Sequence, residues 1–475
     1  MKALIMKINN VDFEKLSYEK SFRSDYDFHK YYQNHLQEYY IFYDLFCFPE
    51  TKIISEEQLY CDFRYCEIGN VDKNGNITPV VLNFNERSLI NENYYKKIEK
   101  GDIIAAEKGD ILISKVRPNL KKFVLIDEDM EDVYFTSAFI RIKPKKIPEI
   151  LYHCLRTIFY ENLIAVSRQG KGYPTINETD IKEVRFNKTI IDQLIDNKDA
   201  IEKKISETVK TAKKLSLELR SLQEIIDSAF QKKFVFDYKK FEKLKEEKNY
   251  HLEQQDFGNN LDLRFSAKYH RPAGAFVKKQ LAGTTDKKIK HFLAAPIALG
   301  ASISPEDFDE RGEAYYVSMA TIKTLEIELD ETQLVSDSFY QAKKDKTLEK
   351  GDIVMARSGV AIGKTAIVKE DFKGIFADFT MRIRFDSQKY NPMFGYYYLR
   401  SKYFQYLIEL YKKGLQNQNI FPIVMQEFPA PDLSMEEQQK IVDEIEREIG
   451  KQKGLYSKIA ELRSQINNII EETVC

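Results

Sequence analysis

The residues best suited to chemistry in the first half of the chain are cations in one short loop. Lys115, Arg117, Lys121 and Lys122 fall between two apolar runs that predict neighbouring β-strands. Ammonium and guanidinium groups bind phosphate oxygens, and an arginine also pairs with the O6 and N7 atoms of guanine through two parallel hydrogen bonds. The loop therefore predicts binding of a nucleic acid rather than catalysis.

A second polar loop follows a predicted helix, and both loops have counterparts in the second half. The glycine-rich turn of the first half carries Arg168, Gln169, Lys171 and Tyr173. The corresponding residues of the second half are Arg357, Lys364, Lys412, Lys413, Gln416, Asn417, Gln418 and Asn419. Glutamine and asparagine amides pair bidentately with adenine. A solvated polar loop is the alternative for any single residue, whereas the loops as sets favour DNA contact.

The stretch from Ser358 to Thr365 comes close to a phosphate-binding P-loop, but serine stands where the motif needs glycine. The residues after Lys364 also predict a strand, not the helix whose N-terminus would meet a phosphate. We interpret the stretch as a glycine-bearing turn. The six histidines are dispersed and the five cysteines include no Cys-x-x-Cys pair. The sequence thus predicts no catalytic, cofactor-binding or metal site.

Composition describes a folded protein without global basic charge. The 475 residues are 43% hydrophobic and 13% aromatic, and the formal net charge is −1. Binding of a nucleic acid would therefore depend on local patches. No apolar segment approaches the roughly 18 residues that a membrane span requires, and the start of the chain lacks a signal-peptide pattern. We expect a cytoplasmic protein.

The elements that must position these loops are long helices with apolar residues alternately four and three positions apart. This spacing starts near Thr189 and again near Ser434, and it places the apolar residues of each helix in one narrow seam. A helix that is polar except for one such seam needs a partner helix to bury it. The predicted coiled-coil residues are Ile201, Ile205, Leu215, Leu219, Leu222, Ile226, Leu455, Ile459, Leu462 and Ile466. Polar Glu448 and Gln452 weaken the second seam. Two unrelated surface helices are the alternative.

The two halves of the chain repeat the same order of motifs. Lys108–Ile111 recurs as Lys350–Ile353, Arg141 as Arg382, Arg156 as Arg400, and Arg23 and His29 as Arg264 and His270. The predicted fold class is α+β, with two similar globules that are each followed by a long helix. The two helices pair as an antiparallel coiled coil with pseudo-twofold symmetry. The predicted domains are a first globule (1–188), a central helix (189–248), a second globule (249–432) and a C-terminal helix (433–475).

Four motifs in this order resemble a known family. Gly109–Pro118 is similar to a strand and loop of the DNA specificity subunits of type I restriction-modification systems, and 357–364 to its second-half form. Ala430-Pro431 with Glu436–Val442 resembles the start of one conserved helix of that family, and Leu222–Phe230 the end of the other. The first-half helix start, Thr189–Leu194, departs from the pattern because it lacks the Glu-Glu-Gln run.

The resemblance implies a prokaryotic, non-catalytic subunit with two target-recognition domains, each of which contacts half of a bipartite double-stranded DNA site. A helical spacer would set the distance between the half-sites. The resemblance also implies two modification subunits, which bind S-adenosylmethionine and methylate adenine, and restriction subunits, which use ATP and Mg. This chain would then hold no cofactor and would serve phage defence. The alternative is a non-enzymatic coiled-coil adaptor that binds protein partners through its duplicated globules.

Overall fold

The computed structural model describes most of the chain after residue 37. The described residues are 38–50, 52, 54–86, 91–130, 132–169, 173–247, 249–258, 266, 268–322, 326–330, 332–414 and 418–474. Arg23, His29 and Arg264 of the predicted repeat, and Lys171, Gln416 and Asn417 of the predicted contact loops, lie outside these ranges. The chain divides into unit 1 (Met1–Leu217 with Ser457–Cys475) and unit 2 (Glu218–Tyr456).

Unit 1 is built around two four-stranded sheets. Its strands are β1 (Tyr39–Tyr40), β2 (Phe46–Cys47), β3 (Phe63–Cys66), β4 (Val80–Leu82), β5 (Ile104–Ala105), β6 (Ile111–Ser114), β7 (Phe123–Leu125), β8 (Val133–Phe135), β9 (Phe139–Pro144), β10 (Arg168–Gln169), β11 (Pro174–Thr175) and β12 (Phe186–Asn187). The sheet orders are β2-β9-β6-β7 and β4-β3-β8-β5, with β3 and β8 parallel. All four residues of β6 are buried, which explains its uninterrupted apolar sequence.

Helices surround these sheets. They are α1 (Phe42–Leu45), α2 (Glu56–Leu59), α3 (Glu92–Glu99), α4 (Pro148–Arg156), α5 (Tyr160–Ala165), α6 (Glu178–Ile181), α7 (Lys188–Asp196) and α8 (Lys198–Leu217). α4 begins with proline at a first-turn position, where no backbone N–H is needed. Its Ile150, Leu151 and Leu155 are buried in the core beneath β6 and β9.

Unit 2 has strands in a similar arrangement. They are β13 (Leu293–Leu299), β14 (Ala314–Val317), β15 (Leu334–Val335), β16 (Ile353–Ala356), β17 (Thr365–Ile367), β18 (Gly374–Phe376) and β19 (Thr380–Phe385). One sheet has the order β13-β19-β16-β17 and the other β15-β14-β18, with β14 and β18 parallel. The first order repeats that of unit 1 and the second repeats β4-β3-β8 without a counterpart of β5, so the duplication predicted from the sequence is confirmed and the fold is α+β.

The helices of unit 2 include several that match unit 1. They are α9 (Leu222–Phe234), α10 (Tyr238–Glu246), α11 (Gln254–Gly258), α12 (Pro272–Ala282), α13 (Asp337–Ala342), α14 (Pro392–Arg400), α15 (Lys402–Tyr411), α16 (Pro422–Met425) and the long α17 (Met435–Val474), whose last residues belong to unit 1. α14 matches α4 residue for residue in length, first-turn proline and final arginine. No described helix is apolar over a length sufficient to cross a bilayer.

A buried ion pair braces the same point of each central sheet. In unit 1 the Nε atom of Arg141 lies 2.6 Å from Oδ2 of Asp110, whose side chain is fully buried. In unit 2 Arg384, not the sequence-matched Arg382, holds Asp352, at 2.6 and 2.7 Å. Arg382 does occupy the strand position equivalent to Arg141, but its guanidinium donates to the carbonyl of Thr347 at 2.6 Å.

The predicted central helix (189–248) is not continuous, because this segment forms α7, α8, α9 and α10. Ser221 starts α9 as its N-cap: its hydroxyl accepts the N–H of Glu224, whose side chain accepts the N–H of Ser221. Such a reciprocal cap stabilises a helix start and so favours a break before it. Leu215 and Leu219, the seam residues on either side of the break, are only half-buried.

The helices nevertheless pair antiparallel within each unit. In unit 1, Ile201 and Ile205 of α8 share a core with Ile466 and Ile470 of α17. Ile459 is also buried, whereas Leu215 and Leu462 are half-buried. Leu455, which belongs to unit 2, is half-buried as well.

In unit 2, Ile226 of α9 is buried with Ile441 and Ile445 of α17, whereas Leu219 and Leu222 are half-buried. Direction follows from the side-chain bonds: Lys233 meets Glu437 and Lys232 meets Glu444, each at 2.8 Å, while the N–H of Arg220 donates to Oε1 of Gln452 at 2.8 Å. The polar Gln452, which weakened the predicted seam, therefore satisfies a backbone N–H that the helix break leaves open.

Candidate nucleic-acid interface

The structure brings the two polar loops of unit 1 side by side. The N–H of Arg117 donates to the carbonyl of Pro174 at 2.9 Å, and the N–H of Ile176 donates to the carbonyl of Lys115 at 2.9 Å. These bonds tie the cationic loop after β6 to the turn that carries Tyr173. We call residues 115–117 with 173–177 the unit 1 loop pair.

Arg117 is the most prominent side chain of the unit 1 loop pair. Its backbone is left-handed, with φ of 51°, a conformation that costs a non-glycine residue about 1–2 kcal/mol. Its guanidinium is exposed and lies 5.2 Å from the ring centroid of Tyr173, itself 40% exposed. Lys115 next to it donates to the carbonyl of Ser137 at 2.8 Å. Arg117 and Tyr173 thus present a cation and an aromatic face to solvent from one edge of the unit.

The other predicted contact residues of unit 1 form bonds within the unit. Nζ of Lys121 donates to the carbonyl of Arg156 at 3.0 Å, and Nζ of Lys122 donates to that of Ile68 at 2.8 Å. Nε of Arg168 lies 2.6 Å from Oδ1 of the buried Asp180. Gln169 pairs with Pro174 through the backbone in the β10–β11 hairpin. These groups support the loops, and their role in DNA contact remains a prediction.

Unit 2 repeats the same loop connections. The N–H of Gly359 donates to the carbonyl of Gln418 at 3.0 Å, and the N–H of Ile420 donates to that of Arg357 at 3.0 Å. Lys413 and Asn419 exchange backbone bonds of 2.8 and 2.7 Å. We call residues 357–359 with 418–421 the unit 2 loop pair.

Two of the cations of unit 2, Arg357 and Lys412, form bonds within the unit, whereas the guanidinium of Arg117 is exposed. Nε of Arg357 donates to the carbonyl of Asp378 at 2.8 Å, as Lys115 does to the equivalent Ser137. Nζ of Lys412 lies 2.7 Å from Glu409, and burial lowers the pKa of this lysine. Lys364 and Lys413 are exposed. The equivalent of Arg117 is Gly359, whose φ of 67° is also left-handed.

Two exposed aromatic residues of unit 2 were missed by the sequence analysis. Phe379 is 52% exposed, and its carbonyl accepts the N–H of Arg357 at 3.0 Å. Phe421 is 40% exposed and directly follows Ile420 of the unit 2 loop pair. Both rings expose apolar surface next to residues of the unit 2 loop pair. A comparison of the two halves of the sequence could have identified both residues, because unit 1 has Ala138 and Asn177 at the equivalent positions.

The described residues show no support for a nucleotide or metal site of the types considered from the sequence. After Lys364 the chain enters β17, as the sequence predicted, so no helix N-terminus faces the Ser358–Thr365 turn. Within the described ranges no group of three or more His, Cys, Asp or Glu side chains is arranged to hold a metal ion. The chemistry available at the two loop pairs is hydrogen bonding, binding of anions by the cationic side chains, and apolar contact.

Comparisons with known proteins point in one direction. The model of the type I restriction modification DNA specificity domain matches residues 283–461. The HindI specificity subunit of a type I restriction enzyme from Haemophilus influenzae is 26% identical over 145 residues, which cover 26% of this chain and 31% of that protein. The matched stretch therefore spans about a third of that relative.

Solved structures of two specificity subunits are also similar over most of their length. The HsdS subunit from Thermoanaerobacter tengcongensis is 16% identical, with 92% of this chain and 96% of that chain covered at a TM-score of 0.34. The S subunit of a type I system from M. genitalium is 12% identical, with 93% and 97% covered at a TM-score of 0.40. The family match and the HindI relative thus both show a similarity of part of this chain to the specificity subunits of type I restriction-modification systems.

Proposed function

We propose that this chain is the DNA sequence-specificity subunit of a type I restriction-modification complex, and that each unit contacts one half of a bipartite double-stranded site. The observation that carries the proposal is the repeated loop pair. Equivalent backbone bonds hold 115–117 against 174–176 in unit 1 and 357–359 against 418–420 in unit 2. Two surfaces of the same construction suit two half-sites, and their different side chains suit different base sequences.

The side chains on these surfaces match the groups exposed in DNA grooves. Arg117 provides the fork of donors that pairs with guanine, and Tyr173 beneath it restricts the orientation of that fork. In unit 2, Phe379 and Phe421 offer apolar contact of the kind that thymine methyl groups accept. The exposed Lys364 and Lys413 suit phosphates, which position a protein on DNA without selecting sequence.

The chain acts in this proposal as a non-catalytic component that directs other subunits to DNA. Two modification subunits would supply S-adenosylmethionine and transfer its methyl group to adenine, while restriction subunits would supply ATP and Mg chemistry. The paired helices would serve as the spacer between half-sites, with the domain limits predicted from the sequence. Methyl transfer by this chain without a modification subunit would contradict the proposed division of roles.

The spacer role is tested by adding one heptad to each of the two paired helical segments. Seven residues lengthen a helix by about 10 Å, or the rise of about three base pairs. Methylation mapping of the lengthened variant with its partner subunits should show half-sites further apart, or weaker modification where the changed rotation is not tolerated. The base preference within each half should not change. An unchanged spacer would contradict the role of these helices.

The decisive experiment for the function as a whole is methylation mapping in a host that carries the intact operon. The proposal predicts adenine methylation at a bipartite site that disappears when this chain is deleted. In vitro, the assembled complex should bind that site with strong salt dependence, because phosphate contacts release counterions. A complex with protein partners but no sequence-selective DNA binding would instead indicate the adaptor.

A further inference from the structure

Unit 1 contains a cavity of about 470 Å³ whose lining includes no residue of the unit 1 loop pair. The hairpin turn after β3, the loop before β7, the end of α4 and one face of α17 surround it. The residues that matter here are Lys73, Lys121, His153, Arg156, Arg463 and Asn467. Its volume falls within the range of roughly 300–1,000 Å³ that is typical of small-molecule sites.

Four cations line this cavity, and none of its lining residues is acidic. Arg156 donates to the carbonyls of Lys121 at 2.7 Å and Lys73 at 2.6 Å, while Lys121 donates to the carbonyl of Arg156 at 3.0 Å. Arg463 donates to the amide oxygen of Asn76 at 2.7 Å. Neutral oxygens orient these groups without cancelling their charge. Throughout the described part of unit 1, none of the four cations forms an ion pair with a carboxylate.

The nearest acidic groups are engaged elsewhere or act only at a distance. Both carboxylate oxygens of Asp72 accept bonds from the adjacent turn, from the N–H of Asn74 at 2.7 Å and from the side chain of Asn76 at 2.6 Å. Glu161 affects Lys121 only through its charge. Burial, with Arg156 nearby, lowers the pKa of both Lys121 and His153, the latter to about 3. The cavity therefore concentrates positive charge in a place where water screens it incompletely.

The equivalent positions of unit 2 carry less positive charge. The charge of the cavity is therefore not a property of the fold that the two units share. Arg156 recurs as Arg400, but Gly363 replaces Lys121 and Gln223 replaces Arg463. Asn467 is replaced by Asp227, a buried carboxylate that accepts the N–H of Lys402 at 2.7 Å. Gln223 itself donates to the carbonyl of Arg400 at 2.8 Å.

The backbone conformation of Lys121 is a second reason to assign a function to the positive charge of the cavity. Lys121 has a left-handed φ of 53° where Gly363 has 84°. A lysine at such a position costs free energy that glycine avoids. Unit 1 thus retains a strained cation at the wall of the cavity where the same fold accommodates glycine.

We propose that this cavity binds a small molecule with adjacent phosphate groups, of the inorganic pyrophosphate or nucleoside polyphosphate class. Arg463 provides a guanidinium donor for phosphate oxygens, Lys73 and Lys121 provide point charges, and Arg156, whose two NH groups already donate to carbonyls, adds positive charge. Convergence of four cations on one cavity fits several charges on one ligand better than the single charges spaced along a DNA strand. This binding is separate from sequence recognition at the loop pairs.

The test is calorimetric titration of the full-length chain with inorganic pyrophosphate, with sulfate as the comparison anion. Arg463→Gln and Lys121→Gly each install the residue of unit 2 and should weaken pyrophosphate binding about tenfold or more, the effect of losing a charged hydrogen bond. Asn467→Asp should abolish binding, because it places a carboxylate in the cavity. Arg447→Gln, an exposed charge elsewhere on α17, is the matched control and should leave the affinity unchanged.

Thermal unfolding of each variant separates lost binding from lost folding. Since Lys121→Gly removes backbone strain, it should not lower the unfolding temperature while it weakens pyrophosphate. The proposal is overturned if wild-type chain shows no pyrophosphate binding, or if Arg447→Gln weakens it as much as Arg463→Gln does. It is also overturned if a short DNA duplex displaces pyrophosphate and loses the same affinity in Arg463→Gln, since DNA would then be the ligand.

Discussion

Units 1 and 2 differ in the exposed side chains that their loop pairs carry on a similar backbone. Unit 1 carries Arg117 where unit 2 has Gly359, and both residues have a left-handed φ. Unit 2 carries the exposed Phe379 where unit 1 has Ala138. The backbone bonds between the two loops are equivalent in both units. A duplicated scaffold has therefore kept its loop connections while the groups that face solvent have diverged.

The buried charges show the opposite behaviour. Asp110 and Asp352 are both almost fully buried and each is held by an arginine at 2.6 Å. The arginine has moved by two positions along the strand, from the Arg141 position to that of Arg384, and the ion pair has survived. The comparison indicates that both units need the buried ion pair itself, whereas the exposed residues, to which we assign specificity, differ between the units.

The largest expected effect comes from removal of these buried carboxylates. Asp110→Ala should destabilise unit 1 and Asp352→Ala unit 2, each by about 3–5 kcal/mol, because a buried ion pair is broken and the N–H of Glu107 or Glu349 loses its acceptor. Hydrogen exchange measured unit by unit reports the two free energies of unfolding. Asp345→Ala, at a 69% exposed side chain, is the control. Unequal losses in the free energy of unfolding of the two units would show that the two ion pairs are not equivalent.

The next largest effect concerns the aromatic residue of unit 2. Phe379→Ala installs the residue of unit 1 and should cost about 1–3 kcal/mol of discrimination at the half-site that unit 2 contacts. Competition between duplexes altered in one half-site at a time measures this quantity in the assembled complex. Tyr456→Ala, a 57% exposed aromatic away from the loop pair, should have no effect. Equal losses at both half-sites would contradict separate recognition.

A smaller effect should appear as a difference in acid sensitivity. The pKa of His153 is lowered by burial from 6.5 to about 3, so the unfolded chain binds a proton on this imidazole at a higher pH than unit 1 does. Unit 1 should therefore lose stability as pH falls from about 6.5 toward 3. The equivalent residue of unit 2 is Tyr397, whose pKa burial raises, so it carries no such term.

Urea unfolding of each unit between pH 7 and pH 4 checks this difference. His153→Gln should reduce the acid sensitivity of unit 1 and leave that of unit 2 unchanged. An unchanged pH dependence in this variant would show that another group is responsible.

The smallest effect is expected at the helix break. Ser221→Ala removes the N-cap of α9 and should cost about 1 kcal/mol, measured as the free energy of unfolding of unit 2. The Ser434 hydroxyl caps α17 through Glu437 in the same way, so Ser434→Ala serves as the matched variant. If Ser221→Ala lowered the free energy of unfolding much more than Ser434→Ala does, the role of Ser221 as a helix cap alone would be contradicted.

The sequence predicted the duplication, the buried strand at 111–114 and the helix that starts after Ser434, because each rests on a repeated or strongly periodic pattern. The break before Ser221 was missed because leucines continue the seam across it, although the Ser-x-x-Glu cap was visible. Among the candidate contacts, Lys122 and Arg168 proved to bond within unit 1. Their bonds join residues far apart in sequence or across a turn, which spacing alone does not reveal.

The central claim is that each unit recognises its own half-site, and Arg117→Gly tests it most directly. This variant installs the residue of unit 2 and relieves the left-handed backbone, so the fold should be retained. Methylation mapping with the partner subunits present should show relaxed base preference in one half of the site, with the other half and the spacer unchanged. Equal relaxation of both halves, or an unchanged site, would contradict the account.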